Sequence, residues 1–104
     1  MLRFKEDVSL NRYRIFETEE FLKRIEKLNP SDKAFINNKL TSYVYPQIKL
    51  EPFFGKNIKK LKEYTPNIWR YRIGKFRIFY TLDQDEGIIY ILTIDHRKDA
   101  YRRK

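Results

Sequence analysis

Four arginines and a few lysines set the chemical possibilities of this chain. In WRYRIGKFRIFY, residues 69 to 80, apolar and polar residues alternate with period two on both sides of Gly74-Lys75, the pattern of a tight β-hairpin. A two-residue loop pairs Ile73 with Phe76, Arg72 with Arg77 and Tyr71 with Ile78, so two guanidinium groups face each other. Like charges directly opposite on neighbouring strands are destabilising, and Arg70 adds a third cation to the same face. Guanidinium groups gathered in this way suit a phosphate, because they offer paired N–H donors and a positive field where a phosphoryl group carries negative charge.

The last predicted strand, IIYILTI at 88 to 94, folds back on residues 76 to 82 across the turn DQDEG. With Leu82 opposite Ile88, Arg77 lies beside Thr93, and Asp95-His96-Arg97 arrives alongside the Gly74-Lys75 turn. Lys60 and Lys62 enter the hairpin from upstream and line its edge, and Tyr101 follows Arg97 by four residues, on one face of a helical turn. The expected site is a concave basic surface with an aromatic at its rim, a composition suited to a phosphate backbone with bases stacked nearby.

A competing reading is structural. Asp95 shares strand parity with Thr93 and could neutralise Arg77 or Arg72 in an exposed ion-pair cluster. One aspartate does not compensate Arg70, Arg72, Arg77 and Arg97 together, and the surplus charge favours an external anion. His96 is the side chain whose ordinary titration lies near neutrality, but its parity is opposite to that of Asp95 and Arg97, which turns it from the basic face unless it has a direct role. Tyr101 could instead pack a terminal turn onto the sheet. Trp69, Tyr71, Phe76, Ile78 and Tyr80 are most simply core.

The elements that must position these groups follow from the rest of the chain. At 104 residues it holds one domain, expected over 12 to 104 behind an extension at 1 to 11. RYRIFE at 12 to 17 is a first strand, and Thr18 caps a helix with the apolar face Phe21, Leu22, Ile25 and Leu28. Asn29-Pro30 breaks it, and Ser31 with Asp32 starts a second helix with the face Ile36, Leu40, Tyr43 and Val44, which Pro46 stops. Residues 46 to 67 are irregular around the basic run KNIKKLK. The order is strand, two helices, three strands: an α+β domain with two helices packed on one face of a small antiparallel sheet.

Composition sets the outer limits. The 41% hydrophobic and 16% aromatic content describes a folded globule, and 36% charged residues exclude a membrane protein. The net charge of +9 is uneven, since residues 1 to 52 hold 10 Lys or Arg against 8 Asp or Glu, and residues 53 to 104 hold 13 against 6. A positive half of this kind attracts polyanions or an acidic protein. With no Cys and one His, disulfides, thiolate nucleophiles and the usual zinc ligand sets are excluded, and no cofactor or metal is expected. MLRFKEDVSL has no apolar region of secretory type, and a cytoplasmic protein is expected.

In combination, KKLK at 59 to 62, WRYRIGKFRIFY at 69 to 80 and ILTIDHRKDAY at 91 to 101 resemble the RelE/ParE superfamily of type II toxin-antitoxin toxins, over about residues 12 to 101. The resemblance implies a RelE-like microbial RNase fold and a ribosome-dependent mRNA endonuclease, in which a ribose 2′-hydroxyl attacks the adjacent phosphate in the ribosomal A site and leaves a cyclic phosphate. By motif, Arg70 and Arg72 fall on the family's basic strand positions, Arg77 on its phosphate-binding arginine, Arg97 on its proposed general acid and Tyr101 on its C-terminal tyrosine. Lys60 and Lys62 fall on its basic segment, and Glu63 stands where the family often carries glycine. The general base stays open between His96, Lys62 and groups of the ribosome. The resemblance also implies a cognate antitoxin, in a hetero-oligomer with the toxin. Its ParE branch inhibits DNA gyrase without nuclease activity, which is the second reading; a noncatalytic RNA- or ribosome-binding module is the third.

Overall fold

The computed structural model describes residues 13–96; the expected extension at 1 to 11, Arg97 and Tyr101 lie outside them. The chain runs β1 (Arg14–Glu17), α1 (Glu19–Glu26), α2 (Pro30–Lys39), a π-helical turn (Leu40–Val44), α3 (Tyr45–Leu50), then β2 (Ile58–Lys60), β3 (Trp69–Ile73), β4 (Phe76–Asp83) and β5 (Ile88–His96). The strands form one sheet in the order β1-β5-β4-β3-β2. The expected α+β arrangement is present, with two differences. The KNIKKLK segment contributes a short edge strand, β2, and β1 lies parallel to β5 while every other pair is antiparallel. No hairpin joins β1 to a neighbour; the helices carry the chain away, so β1 is free to take the open edge of β5 in the direction a long connection allows.

Thr18 fixes the first helix to the sheet. Its Oγ1 accepts from the Phe21 N–H at 3.2 Å and lies 2.9 Å from the carbonyl oxygens of both Ile91 and Leu92. The second helix begins one step earlier than expected: Asn29 is its cap, accepting from the Asp32 N–H at 2.8 Å, and Pro30 occupies the first turn, where a missing N–H costs nothing.

Pro46 does not stop that helix. The turn before it widens, the Tyr45 N–H reaching back to Leu40 O, and Pro46 then sits in the first turn of α3. The same turn serves the core. Ile36, Leu40, Val44 and Ile48 recur every four residues, a spacing that drifts by about 40° per step around an α-helix, and the wider turn absorbs the drift so that all four are buried. Tyr43 is turned out instead and is 60% exposed, unlike its expected place in the core; Leu22 of α1 is likewise exposed.

The helices cover one face of the sheet. Phe21, Ile36, Val44, Ile48, Phe76, Ile78, Tyr80, Ile89 and Ile91 are fully buried between the layers, and burial of this apolar surface is the main force holding them together. The Tyr80 hydroxyl, inside this core, donates to Pro52 O at 2.6 Å. Among the described residues no helix is long and apolar enough to cross a membrane.

Candidate functional site

The opposite face of the sheet carries the cations. Pairing in the β3–β4 hairpin is as the sequence predicts, with Ile73 opposite Phe76, Arg72 opposite Arg77 and Tyr71 opposite Ile78. Tyr71, Ile73, Phe76 and Ile78 are buried under the helices, so strand alternation sends Arg70, Arg72 and Arg77 to the other side. Gly74 permits the turn by adopting φ +58°, and a Cβ there would meet the Phe35 ring at 3.3 Å.

Beside this hairpin the β4–β5 register differs from expectation. Leu82 faces Ile89 rather than Ile88, and a bulge between Phe79 and Tyr80 on the β4 side lets Leu92 of β5 go unmatched. Each departure moves the pairing by one residue, so Arg77 faces Asp95 instead of Thr93, while the faces presented by Thr93 and Asp95 are those expected. Leu92 O, left by the bulge, is one of the two carbonyls beside the Thr18 hydroxyl.

Two cross-strand rows result. One runs Lys59, Arg70, Phe79, Thr93; the next runs Arg72, Arg77, Asp95. Within the first row, Arg70 Nε and Thr93 Oγ1 are buried and lack a hydrogen-bond partner among the described residues. Burial holds the Arg70 guanidinium below its usual range, and the charges of Arg72 and Arg77 push it the same way. A buried donor without a partner costs about 1–3 kcal/mol, and an anion placed over the row would satisfy it.

Of the other expected site residues, Lys60 pairs with Trp69 and so has the opposite parity to Arg70; Lys62 is exposed beyond the ladder, past Leu61, whose N–H donates to Ile68 O at 2.8 Å. Lys59, not among the expected site residues, is the lysine in register with Arg70. His96 is turned from the basic face, its ring edge-on to Phe76 with centroids 5.1 Å apart. Arg24 of α1 is a second residue missed: its Nη1 lies 3.0 Å from Asp95 Oδ1, and Asp95 is buried. No sequence signal places Arg24 there, because the contact depends on where α1 crosses β5.

Glu63, just past β2, has φ +66°. That left-handed conformation is the one glycine adopts without a Cβ penalty, which would give a physical reason for the glycine that the resemblance puts at this position. No group of three or more potential metal ligands occurs among the described residues.

Between the end of β3 and the π turn lies a groove of about 470 Å³, whose lining combines Val44, Tyr71 and Ile73 with Lys39, Tyr43, Gln47, Asn57 and Arg72. Lys39 Nζ stands 4.8 Å from the centroid of the Tyr43 ring and 5.8 Å from that of Phe35.

Known proteins share this architecture. Residues 14–101 match the family described as the ParE toxin of the type II toxin-antitoxin system, parDE. RelE1 of Methanocaldococcus jannaschii is 35% identical over 81 residues, spanning 78% of this chain and 86% of that protein. Among solved structures, the archaeal RelE-RelB complex from Pyrococcus horikoshii OT3 has a chain that superposes with a TM-score of 0.63 at 19% identity, over 83% of this chain and 96% of its own. The toxin-antitoxin complex RelBE2 from Mycobacterium tuberculosis gives 0.65 at 23% identity, over 83% and 99%. The match along nearly the whole described domain, together with the identity to RelE1, makes this chain a member of the RelE/ParE superfamily of type II toxin-antitoxin toxins.

Proposed function

We propose that the protein is a toxin of the RelE type, a ribosome-dependent endoribonuclease that cleaves mRNA in the ribosomal A site. The observation that carries this reading is the facing pair Arg72 and Arg77 with Arg70 beside them, kept on one sheet face despite mutual repulsion. In the reaction a ribose 2′-oxygen forms a bond to the adjacent phosphorus as the bond to the 5′-oxygen breaks. The products are a 2′,3′-cyclic phosphate and a 5′-hydroxyl; the 2′-hydroxyl proton goes to a base, and the leaving oxygen takes one from an acid. Negative charge on the phosphoryl oxygens grows between these events, where fixed guanidinium groups stabilise it most.

Arg77 and Arg72 hold the phosphate in this reading, and Arg70 and Lys59 extend the cationic row along the RNA backbone. Lys60 and Lys62, on the exposed edge, meet the flanking strand or ribosomal RNA. Arg97 serves as acid and Tyr101 stacks at the rim. The aim of His96 toward Phe76 favours a base supplied by a lysine or by the ribosome. The partner in the resting cell is an antitoxin, as for the relatives solved as RelE-RelB complexes; an acidic or amphipathic segment would match the basic half of this chain.

The description of the matched family as a ParE toxin supports a second reading, gyrase inhibition without RNA cleavage. Primer extension on a defined message in a purified translation system separates the two. Cuts confined to the A-site codon, dependent on ribosomes and lost in Arg77→Ala, are expected; intact message with inhibited supercoiling by gyrase would replace the nuclease with the ParE activity.

A further inference from the structure

Arg72 belongs to two surfaces. It faces Arg77 on the sheet, and it also lines the groove between the β3 edge and the π turn, with Lys39, Tyr43, Gln47 and Asn57. Tyr71 and Ile73 of the groove's lining are on the helix side of β3, so the groove opens on that side and meets the basic face at Arg72, where β3 runs past its last pairing with β2.

We infer that this groove is a nucleotide subsite, taking one base of single-stranded RNA adjacent to the phosphate on the arginine pair, with Tyr43 as its stacking platform. The inference rests on the RNA-binding reading above and adds to it a residue class and a location. Three features favour RNA as the occupant. The groove, of about 470 Å³, is in the size range of pockets that receive small molecules, and no carboxylate is among its lining residues, so it accepts a group attached to an anionic chain. Tyr43 is a large aromatic left 60% exposed by the π turn, with Lys39 Nζ 4.8 Å from the centroid of its ring. Aromatic rings interleaved with cations are the usual platform for unpaired bases.

The polar groups are also fixed in advance. Gln47 Oε1 accepts from the Tyr71 hydroxyl at 2.6 Å, which orients the amide, and Asn57 O accepts from the Arg72 N–H at 3.0 Å, which ties the loop before β2 to the arginine strand. The walls thus combine apolar surface from Val44, Tyr71 and Ile73, which suits the face of a base, with two amides and two cations, which suit its polar edge and the attached phosphate.

The test is fluorescence anisotropy of a labelled single-stranded hexaribonucleotide titrated with the full-length chain and its variants at low salt. Tyr43→Ala and Lys39→Ala are expected to weaken binding by about 5- to 100-fold, and Tyr43→Phe is expected to restore it to within about twofold, since the ring and not the hydroxyl does the stacking. Tyr43 is exposed and Lys39 half-buried, and unchanged melting temperatures confirm that the variants are folded. Wild-type affinity in Tyr43→Ala, with Arg77→Ala weakened, overturns the subsite and leaves the nuclease reading standing. Wild-type affinity in both overturns the two together. Equal binding of a polyglutamate peptide, equally sensitive to Tyr43, would make the groove a dock for an acidic protein and overturn the RNA assignment.

Discussion

Asp95 Oδ1 lies 3.0 Å from Nη1 of Arg24, a residue of α1, although its register partner in the sheet is Arg77. The ion pair joins helix and sheet at the end of β5 and involves a carboxylate only 5% exposed. Removing Arg24 takes a hydrogen-bonded cation from a buried anion. Arg24→Ala is expected to lower stability by about 1–3 kcal/mol, and Arg24→Ala with Asp95→Asn by less than the sum of the single changes. Urea unfolding of the four proteins measures the coupling.

Arg72 should show the opposite balance. It is exposed and faces a like charge, so Arg72→Ala is expected to leave the unfolding free energy unchanged or raise it by up to about 0.5 kcal/mol. The same variant should lose about 10²-fold or more in ribosome-dependent mRNA cleavage. Melting temperature and primer extension on one preparation check both halves; a large loss of stability would show that the arginine holds the fold.

Glu63 offers a stabilising change. At φ +66°, Glu63→Gly removes a Cβ clash at the cost of a more flexible unfolded chain, with an expected net gain of about 0.5–1 kcal/mol. Glu63→Val should destabilise by more than that, because a β-branched residue fits this conformation worst. Thermal unfolding of the two variants is expected to move in opposite directions.

Tyr45 and Tyr80 make the fold sensitive to alkali. Burial raises both phenols above their usual range, and for Tyr45 the Glu17 carboxylate, 2.7 Å from its hydroxyl, adds to the effect. A raised acid group in the folded state means that the unfolded chain releases its proton first. The stability is therefore complete below about pH 10, the ordinary phenol value, and falls as pH rises above it. Unfolding followed between about pH 8 and 11 should show this decline, and Tyr45→Phe should make it shallower.

The hairpin was legible because one glycine and a strict period of two leave a single pairing, and the cations on one face followed from parity alone. The partner of Arg77 was not legible. It depends on where the turn before β5 closes and on the bulge at Leu92, and residue types do not reveal either, because Ile88 and Ile89, like Ile91 and Leu92, are adjacent apolar residues that suit the buried face equally. The fate of Tyr43 was hidden for a related reason: apolar residues at 36, 40, 43 and 44 suit one α-helical face, and only the widened turn ejects the tyrosine. Lys59 and Lys60 are adjacent, so choosing which of them joins Arg70 needed the β2 register.

The π turn and the bulge are each one residue more than regular geometry requires, and they sit on either side of the arginine strands. In terms of descent, a helix or strand that gains a codon can absorb it locally and keep its buried contacts, as Leu40, Val44 and Ile48 do here. The cost falls on the outward-facing side chains, which are rotated to new directions. Relatives of this chain that differ by a single codon in residues 40 to 44 should then keep the same core and yet present a different aromatic, or none, beside the basic face, so that chain length alone would vary what the domain touches.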